Sequence, residues 1–417
     1  MNDDRDELSI LAPREMKPKF DYLHREVQRA AGRRLSRREA LGLGGMAIFA
    51  AATAAACGST TTTTTGGTST RPSGSANPLA GKPLENHLEI YNWSQYDDPS
   101  TFTKFTKLPA EAKVGMTTHE TFYSSNDELL AKLHAGGTGY DIIVPSQNAV
   151  AELIQEKGLM ALDKALLPNL KHLDPSFLTP SYDPTGNYHV IKDFGITMFF
   201  YNHKIVIEQP ATMFDFYNAL PKFASKGRTN LLDGAEEVVP LALMALKMDP
   251  NTSSQADLSQ AKSFLLSIRK GVTTIDSSSY INDAIAGKII LSQGWNGDVR
   301  RIVQGRAKQG DITAVIPQAA SEIWADNWCI PASAPHPVAA HAWINWLLTP
   351  STAVTEMNYH NYKIPMPSAL AQLPASLRDD PMFNVPKSYT DNYHYILNVS
   401  PQVVEARTQI YSEFKAA

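Results

Sequence analysis

Three stretches of this chain set acids among apolar or glycine-rich residues, a setting in which carboxylates bind cations. In Ile323-Trp324-Ala325-Asp326-Asn327-Trp328-Cys329-Ile330-Pro331, Asp326 interrupts an apolar run whose alternation and β-branching read as a strand. A carboxylate taken out of water there is costly unless a positive or hydrogen-bonding group meets it, and tryptophan faces nearby attract cations. Gln293-Gly294-Trp295-Asn296-Gly297-Asp298 adds a tryptophan and an acid around two glycines that permit close backbone approach. Leu231-Leu232-Asp233-Gly234-Ala235-Glu236-Glu237 is the third. Each has a plainer explanation: Asp298 or Asp233 as a helix N-cap, Glu236 and Glu237 as first-turn acids opposing the dipole. Together, three acidic loops, two of them with tryptophans, point to a pocket for a cation.

The elements that must position these loops alternate between strand and helix. Leu88–Trp93, Val114–Thr118 and the run Tyr140–Pro145 read as strands, separated by helices at Pro99–Lys107 and from Ser125, whose Ser125-Asn126-Asp127-Glu128 has capping-box character. A helix at Gln147–Glu156 follows. This spacing predicts a parallel α/β sheet covered on both faces, with ligands outside the carboxyl ends of its strands. Trp93, Ser94, Tyr96 and Ser146 stand at those ends. The long run Val190–Tyr201 is where the chain crosses into a second lobe. There, strands at Thr229–Leu232, Ile289–Ser292 and Ile312–Ile316 alternate with helices at Ala235–Leu246 (interrupted by a proline), Leu258–Arg269, Tyr280–Gly287 and Gly297–Gln304. Val338–Leu348 is a helix whose Trp343, Ile344, Trp346 and Leu347 pack in a core.

At 417 residues and 43% hydrophobic, the chain is long enough for two lobes rather than one ordinary core. Beyond residue 56 it carries 28 basic against 34 acidic residues, a net of −6, which gives no support to nucleic-acid binding. There is no nucleophile elbow, no His-Glu-x-x-His, no phosphate-cradling glycine loop after the N-terminal segment and no His/Cys cluster at metal-ligand spacing. No cofactor, metal or catalytic residue is expected; the enzyme alternative is a hydrolase using Asp298 and Asp326 as an acid/base pair.

The N-terminus reads as an export signal over residues 1–56: Arg33-Arg34-Leu35-Ser36-Arg37-Arg38, then an apolar Gly/Ala-rich run from Leu41 to Ala56, then Cys57. About 16 apolar residues are short of the ~20 needed to span a membrane. Ser36-Arg37-Arg38 with Leu41 resembles the twin-arginine motif, and Ala54-Ala55-Ala56-Cys57 resembles a lipobox, with Ala54 where leucine is usual. Lipidation of Cys57 leaves Cys329, the other cysteine, without a disulfide partner, as a small buried hydrophobe. Residues 57–85, with six threonines from Thr60, form a low-complexity tether.

Five motifs in order, Tyr91-Asn92-Trp93-Ser94-Gln95-Tyr96, Tyr140-Asp141-Ile142-Ile143-Val144-Pro145-Ser146, Tyr280-Ile281-Asn282-Asp283, Gly294-Trp295-Asn296-Gly297-Asp298 and Trp324-Ala325-Asp326, make the chain from about Glu85 to Pro367 resemble the spermidine/putrescine-binding proteins of ABC importers. The resemblance implies a two-lobed periplasmic-binding-protein fold (type II), each lobe a mixed sheet covered by helices, closing on a polyamine. Lobe 1 would hold residues 86–191 and 325–369, lobe 2 residues 192–324 and 370–417. The implied ligand residues are Trp93, Ser94, Tyr96 and Ser146 from lobe 1, Glu237, Trp295 and Asp298 from lobe 2, Trp324 and Asp326 from the crossing strand, and Tyr362. Gln95, Gln147, Asn148 and Gly234 depart from the family pattern, and Asp233 is a candidate to replace the acid missing at Gly234. The function implied is an exported, lipid-anchored, monomeric receptor on the outer face of the cytoplasmic membrane or in the periplasm. It captures putrescine or spermidine by hinge closure and delivers it to a permease. The alternative within the fold is an amino acid or opine receptor, which would want arginines aimed at the cleft; the motifs offer none.

Overall fold

The computed structural model describes residues 79–136 and 139–417; the export signal, Cys57 and most of the tether lie outside them. In the first lobe β1 (His87–Trp93) buries Leu88, Ile90 and Tyr91. It is followed by helices α1 (Pro99–Phe105) and α2 (Pro109–Val114), then β2 (Thr117–Tyr123). The strand expected at Val114–Thr118 begins later, because Pro109 opens α2, which runs through Val114 and ends on left-handed Gly115. Next come α3 (Asn126–His134), β3 (Ile142–Ile143) and α4 (Gln147–Gln155). The Ser125 hydroxyl caps α3 by accepting from the amide of Glu128. β2, β1 and β3 form a parallel sheet in that order, so Trp93, Tyr123 and Ser146 emerge at one edge, past the strands' carboxyl ends.

The 13-residue β4 (Val190–Asn202) is buried almost throughout and links the lobes. After it come α5 (Met213–Phe223), β5 (Arg228–Leu231), α6 (Ala235–Ala245), α7 (Gln255–Ile268) and β6 (Thr274–Ile275). Then follow α8 (Tyr280–Ile285), β7 (Ile289–Trp295), α9 (Asn296–Gly305), β8 (Ile312–Val315) and β9 (Ile323–Trp328). The second sheet runs β6-β5-β7-β4-β8 and is mixed: β5 is parallel to β6 and β7, while β4 is antiparallel to β7, β8 and β9. α6 is not interrupted at Pro240, which lies inside it. α5 was not anticipated, although Thr212 and Asp215 make a reciprocal capping box at its start.

The chain then returns to the first lobe as α10 (Pro337–Leu347) and α11 (Pro350–His360), and ends in α12 (Pro401–Ala416) on the second. Trp343 is fully buried, stacked on Phe102 and edge-on to Phe105 and Trp328. Leu79 is buried and Glu85 accepts from the amides of Val338 and Ala339 at the start of α10, so the chain packs before residue 86. One core joins Leu88, Ile142, Val190, Trp328 and Trp343, and extends to Leu373, Leu377 and Phe383, past residue 369. The second lobe's cores take Phe199, Tyr217, Leu243, Leu265 and Phe414, and Met198, Tyr280 and Ile302.

β4 and β9 cross side by side. Their register pairs Gly195 with Trp324, and a Cβ on Gly195 would fall 2.5 Å from the Trp324 ring and 2.2 Å from Asn296 Oδ1. Glycine there lets the indole lie on the strand while Asn296 accepts from the Ile196 amide at 3.0 Å. Among the described residues no helix is long and apolar enough to cross a membrane.

Candidate functional site

The ten residues expected at a binding site, Trp93, Ser94, Tyr96, Ser146, Glu237, Trp295, Asp298, Trp324, Asp326 and Tyr362, all line one cleft with about 840 Å³ of space, part of it open to solvent. Ser146, past the end of β3 and at the cap position of α4, bridges to Asp326 of β9. Two hydroxyls then meet the Asp326 carboxylate: Ser146 Oγ donates to Oδ1 at 2.6 Å and Tyr96 OH to Oδ2 at 2.8 Å. Burial raises this acid to about 6, with the two hydroxyl hydrogen bonds acting against the rise.

Asp298 is in the first turn of α9, whose cap position is Trp295, so the N-cap explanation for Asp298 does not hold. Tyr280 OH donates to its carboxylate at 2.7 Å. Burial raises its pKa, and Arg301, with Nη1 3.8 Å from Oδ1, lowers it. Arg301 donates to the Gln95 carbonyl at 3.3 Å and is not among the lining residues.

Glu237, in the first turn of α6, has one carboxylate oxygen buried without a hydrogen-bond partner. Burial drives its pKa well up, Glu322 pushes it further, and a hydrogen bond from Trp295 opposes the rise. Glu322 accepts from Thr197 Oγ1 at 2.8 Å and is itself raised to about 8 by burial. Among the described residues no Lys, Arg or His side chain forms an ion pair with Glu237, Glu322 or Asp326. Two buried acids and half-buried Glu237, facing a cleft with no protein cation against them, make a receptor for positive charge.

The walls are aromatic. Trp93 meets Trp295 edge to face across the lobes at 5.8 Å and is held by its Nε1, which donates to the Val144 carbonyl at 2.9 Å. Trp324 meets Tyr362 at 5.1 Å, and its Nε1 is buried without a partner. Such faces can cover methylenes or attract ammonium groups. Trp328, on the same strand as Trp324 and Asp326, is not a wall of the cleft but is buried against Trp343.

Sequence reasoning missed Glu322, Asp127 and Tyr123 as lining residues. Glu322 carried a usable signal: it stands just before β9, in alternation with Trp324 and Asp326, and all three line the cleft. Asp233 lines the cleft, but its carboxylate accepts from Tyr411 OH and lies 3.7 Å from Lys415 Nζ. A Cβ at Gly234 would lie 3.8 Å from Asp127 Oδ2, which brings an acid of the first lobe to this position. Asn148 lines the cleft; Gln147 is spent on structure, accepting from the Ala325 amide and donating to the Ile396 carbonyl.

Residues 101–385 match the family model described as bacterial extracellular solute-binding protein. The chain is 31% identical over 331 residues to spermidine/putrescine-binding periplasmic protein 1 of Haemophilus influenzae, covering 79% of this chain and 88% of that protein. It is 29% identical over 344 residues to the putrescine-binding periplasmic protein PotF of Escherichia coli, covering 79% and 91%. A solved structure, a putative spermidine/putrescine ABC transporter protein from Listeria monocytogenes, superposes with a TM-score of 0.73 at 30% identity over 79% of this chain and 99% of that one.

Proposed function

The chain belongs to the bacterial extracellular solute-binding protein family, and from that premise we propose that it captures a polyamine and delivers it to an ABC permease. The observation that carries this reading is the set of acids, buried Glu322 and Asp326 and half-buried Glu237 with its Oε2 enclosed, lining a cleft without a protein cation paired to them. Protonated amines satisfy such carboxylates by charge-assisted hydrogen bonds, and Trp93, Trp295, Trp324 and Tyr362 suit the methylenes between amines. The similar proteins are named as binders of spermidine and putrescine, which supports the same chemical class here.

The acids come from lobe 2 and from the crossing at β9, and lobe 1 faces them with Trp93, Ser94, Tyr96 and Ser146, so one ligand would hold the lobes together, and the difference in its contacts between open and closed forms sets the shift toward closure. The receptor reading makes Asp298 and Asp326 ligand carboxylates rather than an acid/base pair. We further propose export by the twin-arginine segment, anchoring through lipid at Cys57, action as a monomer outside the cytoplasm, and lobes divided by the crossings at β4 and β9. Isothermal titration calorimetry with putrescine, spermidine, spermine and an amino-acid panel tests the function. Binding of at least one polyamine with no amino-acid binding is expected; heat from amino acids alone would refute it.

A further inference from the structure

Behind Asp326 lies a second acid that ligand capture as described so far does not use. Asp193 on β4 is the register partner of Asp326 on β9, and the register slips between Ile191 and Asp193, which leaves Lys192 as the extra residue of a bulge. Bulges of this kind re-aim side chains and gather beside functional sites. Here the Tyr96 hydroxyl contacts Asp193 Oδ1 as well as Asp326 Oδ2, while Asp193 Oδ2 is buried with no hydrogen-bond partner. A phenol has one hydrogen to donate. Two ionised carboxylates cannot both receive it, so one of the two contacts calls for a second proton.

The surroundings do not supply enough positive charge to avoid this. From β4 itself, Lys192 Nζ is 2.7 Å from Asp97 and 3.7 Å from Asp193 Oδ2, over the Tyr96 ring. From α11, Glu356 accepts from Thr101 and the Asp98 amide, and His360 Nε2 is 3.5 Å from Asp193 Oδ2. His360 Nδ1 accepts from the Tyr362 amide at 2.9 Å, which leaves Nε2 as the protonated nitrogen of a neutral ring. From β1 and β2, Asn92 bridges Asp97 and Glu120. Toward the cleft, Glu237 and Glu322 repel Asp326, and Tyr123 and Tyr182 lie close enough to feel its charge. Lys192 is therefore the one ammonium facing Asp97, Asp193, Asp326, Glu120 and Glu356 among the described residues. Burial raises Asp193 to about 7, with Lys192 opposing.

We propose that Asp193 is a positioning residue for the cation received at Asp326: through Tyr96 the two carboxylates share one carboxyl proton in the ligand-free protein, and an arriving ammonium sends that proton to solvent. Afterwards Tyr96 keeps its own hydrogen and donates it to Asp193, and Asp326 faces the ammonium. Charge balances, since the site loses one proton and gains one positive group. This rests on the polyamine reading above.

Calorimetry of the full chain with putrescine and spermidine, in buffers of different ionisation enthalpy from pH 5.5 to 7.5, measures the proton released. The wild type should release about one proton more per ligand than Asp193→Asn, and its affinity should fall up to about tenfold per pH unit on the acid side while the variant's profile is flatter. Equal proton release and the same pH profile in both would overturn the proposal. Should Asp193→Asn not fold, Tyr96→Phe decides in the same way, since it removes the bridge and keeps both acids. If no polyamine binds the wild type at any pH, the functional reading itself fails and takes this inference with it.

Discussion

Asp127, in the first turn of α3 on lobe 1, accepts a 2.9 Å hydrogen bond from the amide of Ala235, the first residue of α6 on lobe 2. α6 starts at Gly234, with φ +122° and no side chain to cap it, so its free amides and positive dipole end are met by an acid from across the cleft. The contact joins the two lobes, so separating them would break it. Asp127→Ala should therefore weaken polyamine binding about fivefold to tenfold, about 1 kcal/mol, and most of the loss should appear as faster dissociation. Stopped-flow tryptophan fluorescence reads that rate; dissociation as slow as the wild type's would show that the contact does not hold the closed form.

Asp326→Ala removes the acceptor of two hydroxyls and the proposed ammonium partner together. A loss of about 2–4 kcal/mol in ligand affinity is expected. The fold should persist, because Ser146 and Tyr96 line the cleft and can turn to water. Calorimetry beside circular dichroism checks both halves. Unchanged affinity would take Asp326 out of the site.

Strand and helix alternation was legible because periods of 2 and 3.6 survive in single sequences, and it located β1, β4, β7 and β9 close to their observed positions. Relationships between distant residues were not legible. Asp127 reads as a capping residue of its own helix, and nothing local says that it meets an amide 108 positions on. Lys192 and Asp193 are different, since charged residues in a buried strand-like run are the same anomaly that singled out Asp326. The anomaly was readable there; its partner, Tyr96, was not.

Glu322→Gln separates binding from stability. Glutamine can still accept from Thr197, yet it removes the charge that pushes against Glu237 and Asp326. At pH 9, above the value near 8 to which burial raises Glu322, the ligand-free variant should melt higher than the wild type, since a buried like-charge contact is relieved. Its affinity for a polyamine should fall about tenfold, roughly the worth of one charge-assisted hydrogen bond. Thermal shift and calorimetry on the same preparation give both numbers. A variant that melts lower and binds as well as the wild type would contradict the assignment of Glu322 to the cleft's cation.

The pH dependence of stability follows from the same acids. Burial raises Asp326 to about 6, Asp193 to about 7, and Glu120, Glu322 and Glu356 to about 8. Unfolded carboxyls titrate near pH 4. Between these limits the folded chain binds more protons than the unfolded one, so stability falls as pH rises. The contribution is fully present below about pH 4 and is lost stepwise as pH climbs through about 6 to 8. Asp183 has the opposite sign. Burial raises it, but hydrogen bonds led by that from His189 outweigh this and hold it low, so its contribution is present above about pH 4 and lost only in stronger acid. It does not offset the others in the neutral range. The ligand-free protein should thus have a higher Tm at pH 5 than at pH 8, and saturating putrescine should reduce the difference by setting positive charge against Asp326. Differential scanning calorimetry across that range, with and without putrescine, measures it. A Tm that climbs from pH 5 to pH 8 without ligand would mean that these acids are ionised and satisfied by some other group.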